Sequence, residues 1–188
     1  MHKLIITAHP SSKGFTHQIA QTYSKASIEA GHTVEVLDLY KAPRQDFLVF
    51  EDKDDVRPDQ IELRNQNQAK ITAADELIFV HPLWWGTTPA ILKNWLDINF
   101  SSGFAFAHKD GKVIKMLTGK TARVFITCDA PAFIYVLLAN PFKSIWSMVT
   151  FGYVGIKCLS FDVLGNKRKQ SPEKLAKFLE KVSQIAKD

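Results

Sequence analysis

Residues 76–95, ELIFVHPLWWGTTPAILKNW, contain the strongest indication of how this chain folds. The first part, Glu76 to His81, is a continuous apolar run typical of a strand that is covered on both faces. From Ala90 to Phe100 apolar residues recur at helical spacing, and Pro89 stands at or just before the first turn. A covered strand that leads into a helix indicates one unit of a parallel α/β sheet.

Strand and helix patterns alternate on both sides of this stretch. Helical spacing extends from Phe15 to Ala30, where Gly31 ends it, and begins again at Ser171, which precedes Pro172. The alternation predicts one domain, residues 1–188, in which a five-stranded parallel sheet carries helices on both faces. Four further strands are predicted at Lys3–Ala8, Thr33–Leu39, Thr121–Cys128 and Ile156–Val163.

Three segments carry weaker signals. Lys41 to Arg64 is polar and weakly periodic, so we expect an irregular excursion with a short helix beginning near Pro58. Gln68 to Ala74 is typical of a helix, and Ile145 to Phe151 of part of one.

The composition is that of a globular protein, with 46% apolar and 23% charged residues. The start lacks the features of a signal peptide because His9 and Pro10 interrupt its apolar run, so we expect a cytoplasmic protein. The apolar stretch at residues 131–154 contains Asn140 and Lys143. We therefore expect a buried helix or a dimer surface there, and no membrane span.

Several kinds of chemistry find little support. The net charge of +5 owes much to residues 167–181, where lysines alternate with apolar residues as on a solvated helix face, so no nucleic-acid partner is expected. Cys128 and Cys158 lie far apart in strand-like runs, where a thiol behaves as a small hydrophobe. The histidines show neither H-E-x-x-H spacing nor a Cys/His cluster, so no metal site is expected.

Parallel sheets bind ligands outside the carboxyl ends of their strands, at the point where the strand order reverses. The loops after Ala8, His81 and Cys128 are therefore the candidate site. In the first loop, Ser11, Ser12, Gly14 and Thr16 stand where a helix begins. Such a helix start can hold a phosphate, but serine and threonine are also common capping residues. Both interpretations stay open.

The second loop contains two adjacent tryptophans at the exit of a covered strand. Trp84 and Trp85 cannot both point into one core, so at least one is expected to form a platform for a flat ligand. Gly86 allows close approach of the backbone, and Pro82 and Pro89 stiffen the loop. The alternative is an ordinary core tryptophan beside a turn.

These motifs resemble the NAD(P)H:quinone oxidoreductase family of flavodoxin-like proteins. The resemblance extends in order over most of the chain. It is carried by His9, Pro10, Phe15 and Thr16, by HPLWWGTTPAILKNWLD (residues 81–97), by SSGFAFAHKDG (residues 101–111), by Thr127 and by FGYVGI (residues 151–156). It implies a flavodoxin-like three-layer sandwich with strand order 2-1-3-4-5.

The resemblance also implies a bound flavin and the residues that hold it. FMN is expected rather than FAD, because little sequence follows the fifth strand, and NADPH or NADH is the expected reductant. The implied cofactor-binding residues are His9, Ser11, Phe15 and Thr16 around the phosphate and ribityl chain, Pro82, Leu83, Trp84, Trp85 and Gly86 along the ring, and Thr127, Cys128 and Asp129 at its pyrimidine edge.

A homodimer is implied by the segment around Phe104, Phe106 and His108, which resembles one that family members offer to the partner subunit's active site. We expect an open loop that exposes both phenylalanines. Tyr135 falls where the family carries a tyrosine near the substrate. Tyr135 and His108 are thus the candidate catalytic residues, and Trp85, Phe104, Phe106 and Tyr135 the candidate substrate pocket.

One departure affects the cofactor site. Where the family usually has a Thr-Thr-Gly-Gly run, this chain has Thr127, Cys128, Asp129, Ala130 and Pro131. Proline has no N–H to donate, and Asp129 adds negative charge near a reduced flavin, which would lower its potential.

The main hypothesis is an FMN-dependent enzyme that passes a hydride from NAD(P)H to a quinone-like acceptor. A flavin-bound regulatory subunit that docks on a transporter or another large partner is the alternative. A relative that has lost its flavin is a third possibility, and it rests only on residues 129–131.

Overall fold

The computed structural model describes residues 1–48, 56–131, 133 and 141–188. Within them the strands are β1 (His2–Thr7), β2 (Thr33–Asp38), β3 (Glu76–Pro82), β4 (Phe106–Lys109), β5 (Lys112–Lys115), β6 (Thr121–Thr127) and β7 (Lys157–Leu164). The main sheet has the order β2-β1-β3-β6-β7 and all its pairs are parallel. This confirms the predicted flavodoxin-like order, in which β6 and β7 are the fourth and fifth strands.

The described helices flank this sheet. They are α1 (Phe15–Glu29), α2 (Pro58–Ala73), α3 (Ala90–Asn99), α4 (Pro141–Ser144), a π-helical segment (Ile145–Phe151), α5 (Gly152–Val154), a 3-10 turn (Lys167–Lys169) and α6 (Pro172–Ile185). The Ser171 side chain caps α6 by accepting from Lys174 N, as its position before Pro172 predicts.

Two buried clusters lie on opposite faces of the sheet because neighbouring strand residues point in opposite directions. Ile5 and Ile78 pack in the cluster that contains α1 residues, whereas Leu4 and Phe79 pack in the other, with Trp146. Every residue of β3 is buried, which confirms that this strand is covered on both faces.

The segment before β3 differs from the expectation of separate helical pieces. Helix α2 is continuous from Pro58 to Ala73. Only Asn67 and Ile71 of this helix are buried. Its apolar residues are therefore too few to predict the full length of the helix from their spacing. Among the described residues, none of the helices has the length and apolar content needed to cross a membrane.

The expectation of an open loop around Phe106 is wrong. Strands β4 and β5 form an antiparallel hairpin, and its turn residues Asp110 and Gly111 have φ values of 52° and 72°. An Asp-Gly pair favours this type of turn, so the sequence carried a signal for the hairpin. Phe104 and Phe106 are half-buried and pack against the main core, because the hairpin holds them against it.

Candidate functional site

A cavity of about 390 Å³ opens at the carboxyl edge of the main sheet. Its walls come from the loops after β1, β3, β6 and β7: His9 with residues 14–16, residues 82–86, residues 127–130, and Lys167 with Arg168. The three loops that the sequence marked as candidates thus meet in one place, and a fourth joins them.

The first loop holds the His9 ring in a fixed position. His9 Nδ1 lies 3.0 Å from Ser11 N, and the carbonyl oxygen of His9 lies 3.2 Å from His17 Nε2. A Cβ atom placed on Gly14 would stand 2.8 Å from His9 Cε1, closer than real Cβ contacts. Glycine at this position therefore lets the chain pass against the imidazole ring.

Helix α1 begins at this loop without help from the serines. Gly14 occupies the capping position, and none of the described side chains makes a capping hydrogen bond to the helix start. The Thr16 hydroxyl is buried and lies 3.4 Å from the Thr127 hydroxyl, which joins the first loop to the end of β6. The capping interpretation of Ser11 and Ser12 is therefore wrong, and the helix start with its N–H groups borders the cavity.

The second loop is a tight turn that presents its tryptophans to solvent. Trp84 and Thr87 exchange two backbone hydrogen bonds of 3.0 and 2.9 Å. Between them, Trp85 and Gly86 have φ values of 49° and 71°. A positive φ is unusual for a bulky residue, yet the Trp85 side chain is fully exposed beside the cavity. Trp85 is therefore not a core residue. The Trp84 ring lies 6.2 Å from that of His9.

The loops after β6 and β7 form one connected wall. Cys128 N donates to Leu164 O at 2.9 Å, and Lys167 N donates back to Cys128 O at 3.0 Å. An ion pair of 3.0 Å joins Arg168 Nε to Asp129 Oδ2. The sequence interpretation missed Lys167 and Arg168 because it treated them as part of a basic helical face. Their position after the fifth strand was the available signal, since that strand also ends at this edge.

One buried histidine lies directly before the second loop. The ring of His81 stacks on Trp146 with centroids 5.6 Å apart, and its Nδ1 lies 2.8 Å from Pro82 O. Complete burial lowers the pKa of His81 to about 4. His81 is therefore neutral at physiological pH and belongs to the support of the site rather than to its surface.

The cavity does not contain all of the predicted site residues. Ser11 belongs to the first loop and contacts His9, but it does not line the cavity. Phe106 and His108 lie in the hairpin, where Phe106 contacts Tyr153 with ring centroids 5.0 Å apart. Tyr153, whose hydroxyl lies 3.3 Å from His108 Nε2, was missed by the sequence interpretation. Phe104 packs against the core, and Tyr135 lies outside the described residues. The remaining predicted residues line the cavity: His9, Phe15, Thr16, Pro82, Leu83, Trp84, Trp85, Gly86, Thr127, Cys128 and Asp129.

No group of three or more histidine, cysteine, aspartate or glutamate side chains within the described ranges could hold a metal ion.

The strand order and its helices define a flavodoxin-like α/β protein with a cavity at the carboxyl edge of the sheet. A family described by a flavodoxin-like fold matches residues 1–186. A protein of Haemophilus influenzae named as an uncharacterized NAD(P)H oxidoreductase is 32% identical over 173 residues, which cover 88% of this chain and 84% of that protein. The chain belongs to this flavodoxin-like family, among its NAD(P)H oxidoreductases, and is an oxidoreductase enzyme.

Other similar proteins have related names. The mouse ribosyldihydronicotinamide dehydrogenase [quinone] is 31% identical over 150 residues, which cover 70% of this chain and 65% of the mouse protein. The crystal structure of Smu.1420 from Streptococcus mutans superimposes with a TM-score of 0.84 at 28% identity, covering 100% of this chain and 99% of that one. An FMN-dependent NADH-azoreductase of Bacillus anthracis, solved in complex with FMN, shares the fold with a TM-score of 0.77 at 16% identity, covering 98% and 97% of the two chains.

Proposed function

We propose that this enzyme binds FMN in the cavity at the carboxyl edge and reduces a quinone-like acceptor at the expense of NADH or NADPH. When bound, the flavin would accept a hydride from the nicotinamide and pass reducing equivalents to the acceptor. The chain's own residues bind the cofactor, present its ring and shape the acceptor site.

The observation that carries this proposal is the pairing of two different surfaces in one cavity. At one side stands the start of α1, where Gly14 and the buried Thr16 hydroxyl leave a polar cradle suited to a phosphate. At the other side stands the fully exposed indole of Trp85. A planar aromatic ligand with a phosphate tail, such as FMN, fits both surfaces.

The turn at residues 84–87 explains how an indole can remain outside the core. Its two backbone hydrogen bonds hold Trp85 in the left-handed region, so the side chain cannot fold back into the sheet. A held aromatic side chain loses little conformational freedom when a ligand stacks on it. We therefore assign Trp85 as a wall of the cofactor and acceptor pocket.

The acceptor site would be completed by a second copy of the chain. Phe106, His108 and Tyr153 form an aromatic cluster on the hairpin and α5, and the His108 and Tyr153 side chains are exposed. In a two-fold dimer the same cluster could cover the partner's cavity. His108 would supply a hydrogen bond to the acceptor there, and Phe104 would support the cluster from the core. Tyr135 keeps its proposed place near the substrate.

Titration of FMN with the purified protein tests the cofactor. Stoichiometric quenching of flavin fluorescence is expected, followed by NADH- or NADPH-dependent reduction of menadione as a probe quinone. The variant Trp85→Ala should weaken FMN binding about tenfold, since stacking on an aromatic side chain contributes about 1–3 kcal/mol. Ile28→Ala, which removes an exposed side chain on α1 away from the cavity, is the matched control. Protein that leaves FMN fluorescence unchanged would overturn the proposal.

The dimer has a test of its own. His108→Ala should leave FMN binding unchanged, because His108 lies outside the cavity of its own chain, yet it should slow menadione reduction. Sedimentation of the wild-type protein should give twice the mass of one chain. A fully active monomer would contradict the assignment of the cluster to a partner's site.

A further inference from the structure

The wall formed by the loops after β6 and β7 contains two opposite charges that face one another. Asp129 Oδ2 accepts from Arg168 Nε at 3.0 Å, and both residues line the cavity. Lys167 lines the same wall. Among the aspartate, glutamate, lysine and arginine side chains of the described residues, those that line the cavity are thus one carboxylate and two cations.

Backbone hydrogen bonds hold this wall together without help from the ion pair. Lys167 N donates to Cys128 O and Asn166 N donates to Ala130 O, each at 3.0 Å. Asn166 adopts a left-handed φ of 53°. The loops would therefore keep their positions if either charged side chain were shortened.

The ion pair is also too exposed to contribute much to the stability of the fold. The Arg168 side chain is 84% exposed and that of Asp129 is 52% exposed, and an exposed pair of this kind contributes little to folding. A ligand that fills the cavity changes its surroundings, because it displaces water and strengthens electrostatic interactions next to it. The pair can therefore act on a bound ligand while it does little for the empty fold.

We propose that Arg168 is a positioning residue for the flavin. Its guanidinium neutralises the Asp129 carboxylate at the edge of the cofactor, so that the bound flavin does not lie next to an unpaired negative charge. This inference rests on the proposed function, since it assumes that FMN occupies the cavity. It also accounts for the departure from the family's usual sequence at residues 127–131, because Arg168 in the neighbouring loop balances the negative charge of Asp129. A reduced flavin carries negative charge, so the balance is expected to matter more for the reduced form than for the oxidised one.

A double-mutant cycle on the FMN-loaded protein tests this inference. Arg168→Gln removes the cation, Asp129→Asn removes the carboxylate, and the double variant removes both. Lys169→Gln is the matched control, because Lys169 belongs to the same 3-10 turn but does not line the cavity. The readouts are the dissociation constant of FMN and the midpoint potential of the bound flavin, with thermal unfolding of the protein without FMN as the measure of fold stability.

Arg168→Gln is expected to lower the flavin potential by about 30 mV, which corresponds to a tenfold change in the ratio of the affinities for oxidised and reduced flavin in a two-electron couple. Asp129→Asn should raise the potential, and the double variant should return close to the wild-type value. The unfolding temperature should stay near that of the wild type in all four variants.

The outcomes separate this inference from the proposed function. If wild-type protein takes up no FMN, both are overturned. If it binds FMN but Arg168→Gln and Lys169→Gln have the same potential and affinity as the wild type, only the role of Arg168 is overturned. A lower unfolding temperature of Arg168→Gln with an unchanged potential would assign the pair to the fold and would likewise overturn the inference.

Discussion

The charged side chains at the two edges of the main sheet differ in how deeply they are buried. At the amino edge, Glu76 is buried and accepts from Arg123 Nε and Tyr23 Oη, each at 2.8 Å, while the buried Lys3 Nζ lies 3.3 Å from its carboxylate. At the carboxyl edge, the Asp129–Arg168 pair lies open to solvent beside the cavity. The charges at the amino edge are thus paired inside the fold, whereas those at the carboxyl edge are exposed beside the cavity.

The polar groups of the amino edge are held by hydrogen bonds within the fold. Burial and the Glu76 carboxylate raise the pKa of Tyr23 well above its usual value, so its hydroxyl stays neutral and donates to Glu76. Lys3 Nζ and Ser27 Oγ both donate to Ala186 O, at 2.9 and 3.0 Å, and so bind the end of α6 to the sheet. A network in which every one of these groups is hydrogen-bonded stabilises the fold.

The greatest loss of stability is expected from a substitution at the amino edge. Glu76→Gln removes the carboxylate that pairs with the buried Lys3 and leaves Arg123 with only the exposed Asp188, so the unfolding free energy should fall by about 3–5 kcal/mol. Urea denaturation measures it. Glu35→Gln is the control, because its pair with Lys70 is one-third exposed and its loss should cost less than about 1 kcal/mol. Equal losses for the two variants would show that burial of the network contributes nothing special.

A second effect concerns pH and the support of the site. His81 has a pKa of about 4 in the folded protein, against about 6.5 when unfolded, so the unfolded chain binds the extra proton first as the pH falls. The stability contribution is complete above pH 6.5 and declines toward pH 4, by on the order of 3 kcal/mol. The variant His81→Phe, which can still stack on Trp146, should lack this part of the decline. Parallel urea titrations of both proteins between pH 4 and 7 measure the difference, and superimposable profiles would contradict it.

The third effect is smaller and tests the phosphate cradle. In Gly14→Ala the new Cβ would displace the His9 ring, an overpacking that costs about 1–3 kcal/mol. We expect FMN to bind about tenfold more weakly, as measured by fluorescence titration, with a modest loss of stability. Ser12→Ala, in the same loop and exposed, should bind FMN as the wild type does. Unchanged affinity in Gly14→Ala would place the phosphate elsewhere.

The smallest effect concerns the stability of the turn at residue 85. Because residue 85 has a φ of 49°, glycine should be tolerated there better than alanine. Trp85→Gly is therefore expected to be about 0.5–1 kcal/mol more stable than Trp85→Ala in urea denaturation, while both bind FMN weakly. Identical stabilities would mean that the turn relaxes once the indole is gone.

The sequence predicts the sheet well because each of its strands carries a local signal. The run at Glu76–His81, whose four central residues are all apolar, and the β-branched run at the start of the chain need no partner to be identified as strands. Three of the four loops of the cavity, those after β1, β3 and β6, follow from the rule that ligands lie at the carboxyl edge. The same rule, applied to the loop after the fifth strand, would have added Lys167 and Arg168.

Other features depend on tertiary contacts that leave a weak local pattern. Helix α2 is held mainly through Asn67 and Ile71, so its apolar periodicity is faint. The half-burial of Phe106 follows from the hairpin and from the Tyr153 ring, which is distant in sequence. The balance between Asp129 and Arg168 likewise joins two loops that composition alone cannot pair.

The sheet has two outer strands, β2 and β7, and the contacts on each affect how copies of the protein meet one another. Unpaired backbone groups on such strands can template β-pairing between molecules and thereby cause aggregation. On β2, the Glu35 and Asp38 carboxylates pair with Lys70 and Lys41, which places charge along that strand. On the other side, a register shift opposite Ala122 and Arg123 interrupts the regular pairing of β7. The charge on β2 and the irregular pairing of β7 with β6 thus each make an outer strand a poorer template for β-pairing between molecules.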